Sequence, residues 1–379
     1  MNLIHRHIFA NVLLTCGAAV AMFAFVLMIG NAFKDLLDYV LAGQLAAGTV
    51  IHLILLMIPV VVSYALPMGM LTGVLLVLGR MSSDREVTAL RASGLSVAWL
   101  SAPIIFCALL GVILNLAINF EFMPRAKVAY ETEFAEAIRQ NPLNFIVPKT
   151  FIRDFHGLVI FAGERKGTVI TDFWLWELDA KNRVKRFARA DSGRVTFDEK
   201  ENKLVLTLLH AQVETRDDHD PENFAAVHAP AIMDQLPIEL SLEKLSGSAL
   251  VNVKQKWLTY SQLMNRWRQL DRPGSPLPAA EREKQKMRIQ ITIHEKFATA
   301  FSVLSFALVA IPLGIKVSRK ETSANLGLGL LLTMIYYFAT IVVSWFDTQT
   351  ALRPDLLMWV PNFAFQSLGL WMFYRVDRH

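Results

Sequence analysis

The sequence predicts an α-helical polytopic membrane protein. Six transmembrane helices, three and three, flank an inserted all-β, jelly-roll-like domain. Three observations lead there. Hydrophobic residues make up 54% of the 379, above the roughly 45–50% of soluble domains. Six apolar runs are long enough to cross a bilayer, and charge collects between the third and fourth, at about residues 121–296. Within that charged stretch the apolar pattern changes to period two.

A span needs about 20 apolar residues. The runs cover residues 8–33, 50–79, 97–119, 297–315, 324–346 and 356–374. The first is longer than a signal-peptide core and no small-residue cleavage site follows it, so it reads as a retained helix. The second exceeds the bilayer at about 1.5 Å per residue, which requires tilt, a bend at Pro59 or Pro67, or protrusion. Near the span ends Arg6, Arg80, Arg85, Arg91, Lys316, Arg319, Lys320, Arg375 and Arg378 fall on one side, against mainly Lys34 and Arg353 on the other. The positive-inside rule puts both termini in the cytoplasm and the insert outside. In a bacterium with two membranes, the insert is periplasmic and the chain is multi-pass in the inner membrane. The domains are then residues 1–120 (spans one to three, with a cytoplasmic helix at 83–94), 121–290 (the outer domain and a helical connector) and 291–379 (spans four to six).

Ionisable residues in spans mark ion or proton routes. Here His52 is the main one, which argues against a proton-driven transporter. Asn115, Asn119, Asn362 and Gln366 suit hydrogen bonds between helices.

In the insert, "LVIFAGER", "FWLWELDA" and "KLVLTLLHAQVETR" alternate apolar and polar residues between turn-like breaks such as "GERKG". That is the pattern of antiparallel strands with one apolar face. Periodicity does not separate a packed core from a face open to apolar ligands. "WLTYSQLMNRWRQL" reads as a helix, and "AAEREKQKMRIQITIHEKFATAF" as one running into span four.

Catalytic and cofactor motifs are absent. There is no P-loop, no H-E-x-x-H, no G-x-S-x-G and no pair of Cys placed for zinc. His156, His210, His219 and His228 are scattered through the insert. No catalytic residue and no metal site is expected. The net charge of +5 orients spans rather than binding nucleic acid, because no basic stripe interleaves with aromatics. Energy must enter from another chain.

The stretch "RMSSDREVTALRASGLS" between spans two and three is where it would enter. Ser83-Asp84-Arg85-Glu86 fits a capping box, and Gly94 suits a left-handed helix stop. The expected helix covers residues 84–93, with Val87 and Leu90 on one side. It is either a stable turn resting on lipid headgroups or a peg for a cytoplasmic partner.

Six spans split three and three, the outer β domain, "LPMGMLTGVLLVLGRMSSDREVTALRASGLS" and "FALVAIPLGI" resemble the permease subunits of the lipopolysaccharide export ABC transporter, the LptF/LptG family. The wording of "SDREVTALRASGLS" and "RPDLLMWVPN" is closer to LptF-like members. The resemblance implies a coupling helix in which Glu86, Arg85, Leu90 and Arg91, stopped by Gly94, meet a cytoplasmic ABC ATPase dimer. ATP and Mg would bind that partner, and no cofactor this chain. It further implies a second homologous six-span permease, a periplasmic jelly-roll bridge protein, surrounding membrane lipids, and lipopolysaccharide as cargo. Lys34, Arg125 and Lys127 stand at outer headgroup level, where they either hold lipid phosphate or snorkel. Asp35 and Asp38 beside Lys34 weaken a phosphate clamp. The rival readings are another ABC-type lipid or lipoprotein exporter and a non-transporting membrane scaffold.

Overall fold

A computed structural model describes residues 3–30, 36–37, 40, 45–140, 149–152, 157–166, 169–179, 182–198, 203–216, 230–241, 255–271, 278–316, 322–345 and 353–377. The chain forms two compact units. One comprises Met1–Phe33, Leu56–Lys127 and Lys254–His379; the other comprises Lys34–Leu55 and Val128–Val253.

The helices are α1 (Leu3–Met28), α2 (Ala47–Ser83), α3 (Glu86–Ala92), α4 (Val97–Ala117), α5 (Met123–Gln140), α6 (Tyr260–Asp271), α7 (Ala279–Lys316), α8 (Thr322–Ser344), α9 (Pro354–Leu357) and α10 (Val360–Asp377). Six stretches are long and apolar enough to span a membrane: Leu3–Met28, Ala47–Ser83, Val97–Ala137, Glu281–Lys316, Gly327–Ser344 and Pro354–Val376. These are the six expected spans. Span two resolves its excess length as one helix, uninterrupted through Pro59 and Pro67. At 37 residues it is about 55 Å long, so it projects beyond a hydrocarbon core of about 30 Å. Near its start, in the second unit, His52 Nδ1 lies 2.6 Å from Glu133 Oε1 on α5. Span three runs on into α5 through a π-helical turn at Ile118–Phe122. Span four likewise continues beyond its apolar stretch, as α7 joins the charged segment and the apolar one in a single helix.

The first unit is organised around α7. Of the most apolar stretch of span four 72% is buried, against 17–44% for the other five. Val303, Phe306, Ala307 and Ala310 of α7 pack with Leu71 and Leu78 of α2, Ile104 and Ala108 of α4, Tyr336 of α8 and Phe365 of α10. Between lipid-solvated helices there is little hydrophobic drive, so small residues and hydrogen bonds matter. Both occur here. A Cβ at Gly73 would lie 2.7 Å from the Cys16 Cα, and one at Gly69 would lie 2.7 Å from the Val20 nitrogen. These two glycines, four apart, let α1 cross α2 backbone to backbone. The expected helix-to-helix bonds form at Asn115, Asn362 and Gln366. Asn115 Nδ2 donates to Thr299 O (3.2 Å) and Asn362 Nδ2 to Ala298 O (2.8 Å). Asn362 Oδ1 accepts from Ser305 Oγ and Tyr336 OH, and Gln366 Nε2 donates to Ser305 Oγ. The Asn119 side chain instead bonds back to Asn115 within its own helix.

The second unit holds β1 (Thr150–Ile152), β2 (Leu158–Lys166), β3 (Val169–Leu178), β4 (Val184–Asp198), β5 (Lys203–Thr215) and β6 (Ala231–Ser241). They form one antiparallel sheet in the order β1-β2-β3-β4-β5-β6. The inserted β domain is therefore present, with the connectivity of a meander. Its apolar face is a packed core: Ile160, Phe173, Leu175, Ala188, Leu206, Leu208 and Ala211 are fully buried. The alternation is not uniform. On β3 the buried positions step from Phe173 to Ile170, on β4 from Ala190 to Gly193, and on β5 from Ala211 to Leu208. Asp172, Asp191 and His210 occupy the intervening row, all exposed. Asp172 and His210 there take a left-handed backbone, each with φ 52°.

The close crossing of α1 and α2 is testable. Gly73→Val drives a branched side chain into the Cys16 backbone and lowers stability by about 1–3 kcal/mol, read as an earlier thermal transition of the purified protein. Gly17→Ala, whose added carbon meets nothing within 4 Å, leaves the transition in place. Equal melting of the Gly73 variant and the parent would contradict the crossing.

Candidate functional site

The turn between spans two and three is built from the end of α2 upward. α2 does not stop at the expected cap. Met81 is buried, and Ser82 Oγ donates to Ile315 O of α7 at 2.8 Å. These contacts carry the helix on to Ser83, which is thus its last residue. Asp84 N then donates to Arg80 O, and Arg85 N to Ser82 O. Arg85 itself is the N-cap of α3, with a left-handed backbone (φ 63°) and no side-chain cap. This corrects the capping box: Glu86 is the first helical residue, and Ser83 stands two residues before the N-cap. The helix is accordingly shorter than residues 84–93. Glu86 still occupies the first turn, where a carboxylate opposes the positive end of the helix dipole.

The other end behaves as expected. Gly94 has φ 87°. Gly94 N donates to Arg91 O (2.9 Å) and Leu95 N to Leu90 O (3.2 Å), the paired bonds of a Schellman stop. Ser96 Oγ then accepts from Trp99 N at 3.1 Å and caps α4. His5 Nε2 lies 3.1 Å from Trp99 O, which ties α1 to the same corner. Val87 is buried in the core of the spans and Leu90 packs against it. The helix is thus seated on the apolar core of the spans through Val87 and Leu90, beside bonds that join α1 to α4 and α2 to α7.

Its free sides carry the expected charges. Arg85 and Glu86 are exposed. Glu86 and Leu90 line a groove of about 790 Å³, together with Leu3, Ile4, Arg6 and His7 of α1 and Met81 of α2. Arg91 faces a second recess. The sequence-predicted quartet is therefore divided. Arg85 and Glu86 are open to a partner, Leu90 is shared between the core and the groove, and Arg91 points elsewhere.

The other expected cluster is less coherent. Lys34, with Asp35 and Asp38, lies outside the described residues, as do His156, His219 and His228. Arg125 forms an ion pair with Glu121, one turn earlier. Lys127 stands 5.2 Å from the centre of the Trp257 ring. Both cations have partners in their own chain, and an offset of two residues sends them to different sides of α5.

Sequence reasoning missed Lys296. It is buried near the middle of α7. Its Nζ donates to Asn119 O (2.9 Å) and Leu258 O (3.0 Å), 5.6 Å from the Phe120 ring centre. Asn119 and Phe120 lie in the π-helical turn, which redirects carbonyls that an α-helix would keep for itself. The lysine therefore joins span three, span four and the segment leading into α6. One signal was readable: Thr259-x-x-Gln262 forms a capping box, with Thr259 N bonded to Gln262 Oε1 and Gln262 N to Thr259 Oγ1. Among the described residues, no group of three or more His, Cys, Asp or Glu is placed to hold a metal ion.

A family model described as "Lipopolysaccharide export system permease LptF/LptG" matches residues 6–375. The chain is 22% identical over 331 residues to the lipopolysaccharide export system permease protein LptF of Escherichia coli (strain K12). That match covers 86% of this chain and 83% of the relative. The LptF protein of Shigella flexneri aligns with the same identity and coverage.

Gly94→Val places a branched residue at a left-handed position, a cost of about 1–2 kcal/mol. The expected result is about 5- to 30-fold faster hydrogen exchange at the amides of residues 94 and 95, with spans still folded. Unchanged exchange would show that the stop does not depend on glycine.

Proposed function

The chain belongs to the LptF/LptG family of lipopolysaccharide export permeases, and from that premise we propose that it is one permease subunit of an ATP-driven complex. In this reading it pairs with a second six-span homologue in the bacterial inner membrane, with both termini in the cytoplasm. A cytoplasmic ABC ATPase dimer holds ATP and Mg and supplies the work. This chain contributes the cargo path and no chemistry.

The observation that carries the reading is the mounting of α3. An exposed Glu86 sits beside an open groove, on a helix whose Val87 is buried among the spans and which follows directly on the end of α2, where Ser82 is bonded to the end of α7. A force applied to that helix reaches spans two, three and four without a flexible joint. Closure of the ATPase would rock these spans and squeeze lipopolysaccharide out of the outer leaflet. The cargo then passes over the periplasmic β domain to a bridge protein of similar fold. The packed apolar face of the sheet would have to open for acyl chains to use it.

Positive groups at outer headgroup level are assigned to the phosphates of the cargo. Lys34 is the first of them. Arg125 and Lys127 would have to exchange Glu121 and Trp257 for phosphate, so their contribution is smaller.

Two substitutions test these roles. Glu86→Ala removes a charge-assisted contact of about 1.5–3 kcal/mol and should reduce ATPase co-purification about 10- to 100-fold, with export falling alongside. Normal co-purification and export would remove Glu86 from the coupling role. Lys34→Ala should lower crosslinking of lipopolysaccharide to span one severalfold; unchanged crosslinking would make Lys34 an anchor only.

A further inference from the structure

The recess that receives Arg91 has features that the export reading does not use. It has a volume of about 470 Å³ and is lined by Arg91, Ile315, Lys316, Trp371, Met372, Arg375 and Val376. That volume falls within the roughly 300–1,000 Å³ of small-ligand pockets. Its three cations come from three separate segments: Arg91 from the last turn of α3, Lys316 from the end of α7 and Arg375 from the last turn of α10. Among the described residues, no carboxylate lines it.

Each cation has a local reason to be where it is. The last turn of a helix carries partial negative charge that a cation opposes, and the positive-inside bias favours this end of the spans. Neither accounts for three of them around one recess. Like charges gathered there repel one another, and an anion is what relieves that repulsion. The remaining walls decide which kind of anion. Ile315, Met372 and Val376 are apolar, which a soluble phosphate does not need but the first carbons of acyl chains do. Trp371 is 58% exposed, with the Arg375 guanidinium 5.8 Å from its ring centre. A tryptophan and an arginine one turn apart are typical of headgroup depth.

We propose that this recess binds the headgroup of an anionic phospholipid, its phosphate held by Arg91, Lys316 and Arg375 and its glycerol and upper acyl carbons resting on Ile315 and Met372. Basic pockets between helix ends are suited to such headgroups, and guanidinium groups match phosphate geometry in bidentate fashion. The bound lipid would bridge the turn helix to the ends of spans four and six, bracing the element assigned to coupling. The site stands on charge and shape alone and holds whether or not the cargo is lipopolysaccharide.

The experiment uses the full chain, purified with its co-purifying partners and placed in nanodiscs of phosphatidylethanolamine and phosphatidylglycerol. Lipid retained after mild detergent extraction is counted by native mass spectrometry. The parent should retain phosphatidylglycerol in preference to phosphatidylethanolamine. Arg91→Gln/Lys316→Gln/Arg375→Gln should weaken that preference by about 100-fold, which is three cations at roughly 1 kcal/mol each converted at about 1.4 kcal/mol per tenfold. Arg282→Gln/Lys284→Gln/Arg288→Gln removes the same charge at the opposite end of α7, about 42 Å or more away along the helix, and should leave the preference intact. Three outcomes would overturn the proposal: no lipid preference in the parent, a first triple variant that retains lipid like the parent, or a distal variant that loses as much. The measurement on the parent decides even where the first variant fails to fold. Lipopolysaccharide export is followed separately, so a loss of export with lipid retention intact would count against the export reading and not against this site.

Discussion

The hydrogen bonds made to α7 are what the membrane unit depends on. Lipid offers no partner for a buried polar group and little reason for apolar helices to associate. The carbonyls of Ala298 and Thr299 and the hydroxyl of Ser305 are instead bonded by Asn362, Asn115 and Gln366 from the neighbouring spans. Asn362 does most, since its one side chain serves Ala298, Ser305 and Tyr336 together. Such bonds fix rotation and depth as well as proximity. A helix turned by one residue would lose these partners.

Three further bonds fasten α7 at two places along its length. At one end Ser82 Oγ holds Ile315 O, beside the turn helix. Further along, Lys296 holds Asn119 and Leu258. One unbroken helix of 38 residues joins both fastenings, and an α-helix of that length acts as a strut of about 57 Å. In the coupling reading proposed above, a displacement of α3 would be carried along the spans by a single element rather than by a relay of loops. In the π-helical turn of span three an extra residue frees a carbonyl, and the buried Lys296 side chain donates to it.

Much of this was legible. Length and apolarity marked the six spans, since lipid imposes both, and asparagines in those runs had few uses other than bonds between helices. Gly94 was readable because left-handed backbone favours glycine. The start of α3 was misread for a tertiary reason. Ser83 has the chemistry of a cap, but the burial of Met81 and the bond from Ser82 extend α2 through it, and Arg85 takes the reversal at a conformational cost. Lys296 escaped notice because a lysine at the edge of an apolar run normally reaches water. Its partners inside, the Asn119 carbonyl of the π-helical turn and the Leu258 carbonyl ahead of α6, are brought to it by tertiary packing. The groups gathered at Arg91 were each visible singly as orienting charges. Their convergence belongs to the packing of α3, α7 and α10.

The row of Asp172, Asp191 and His210 bears on how the sheet finds its alignment. A uniformly alternating strand can slide past its neighbour by two residues and still present the same side to the core; only odd slips are punished. Here the inward set changes phase at matching points of β3, β4 and β5. A slip of two residues would set the phase change of one strand against a regular pair in the next, exposing apolar side chains on one flank of the row and burying charged ones on the other. The defect thus works as a vernier mark. It gives even-numbered misalignments a cost that uniform alternation would not impose, and so favours one register for a long antiparallel meander.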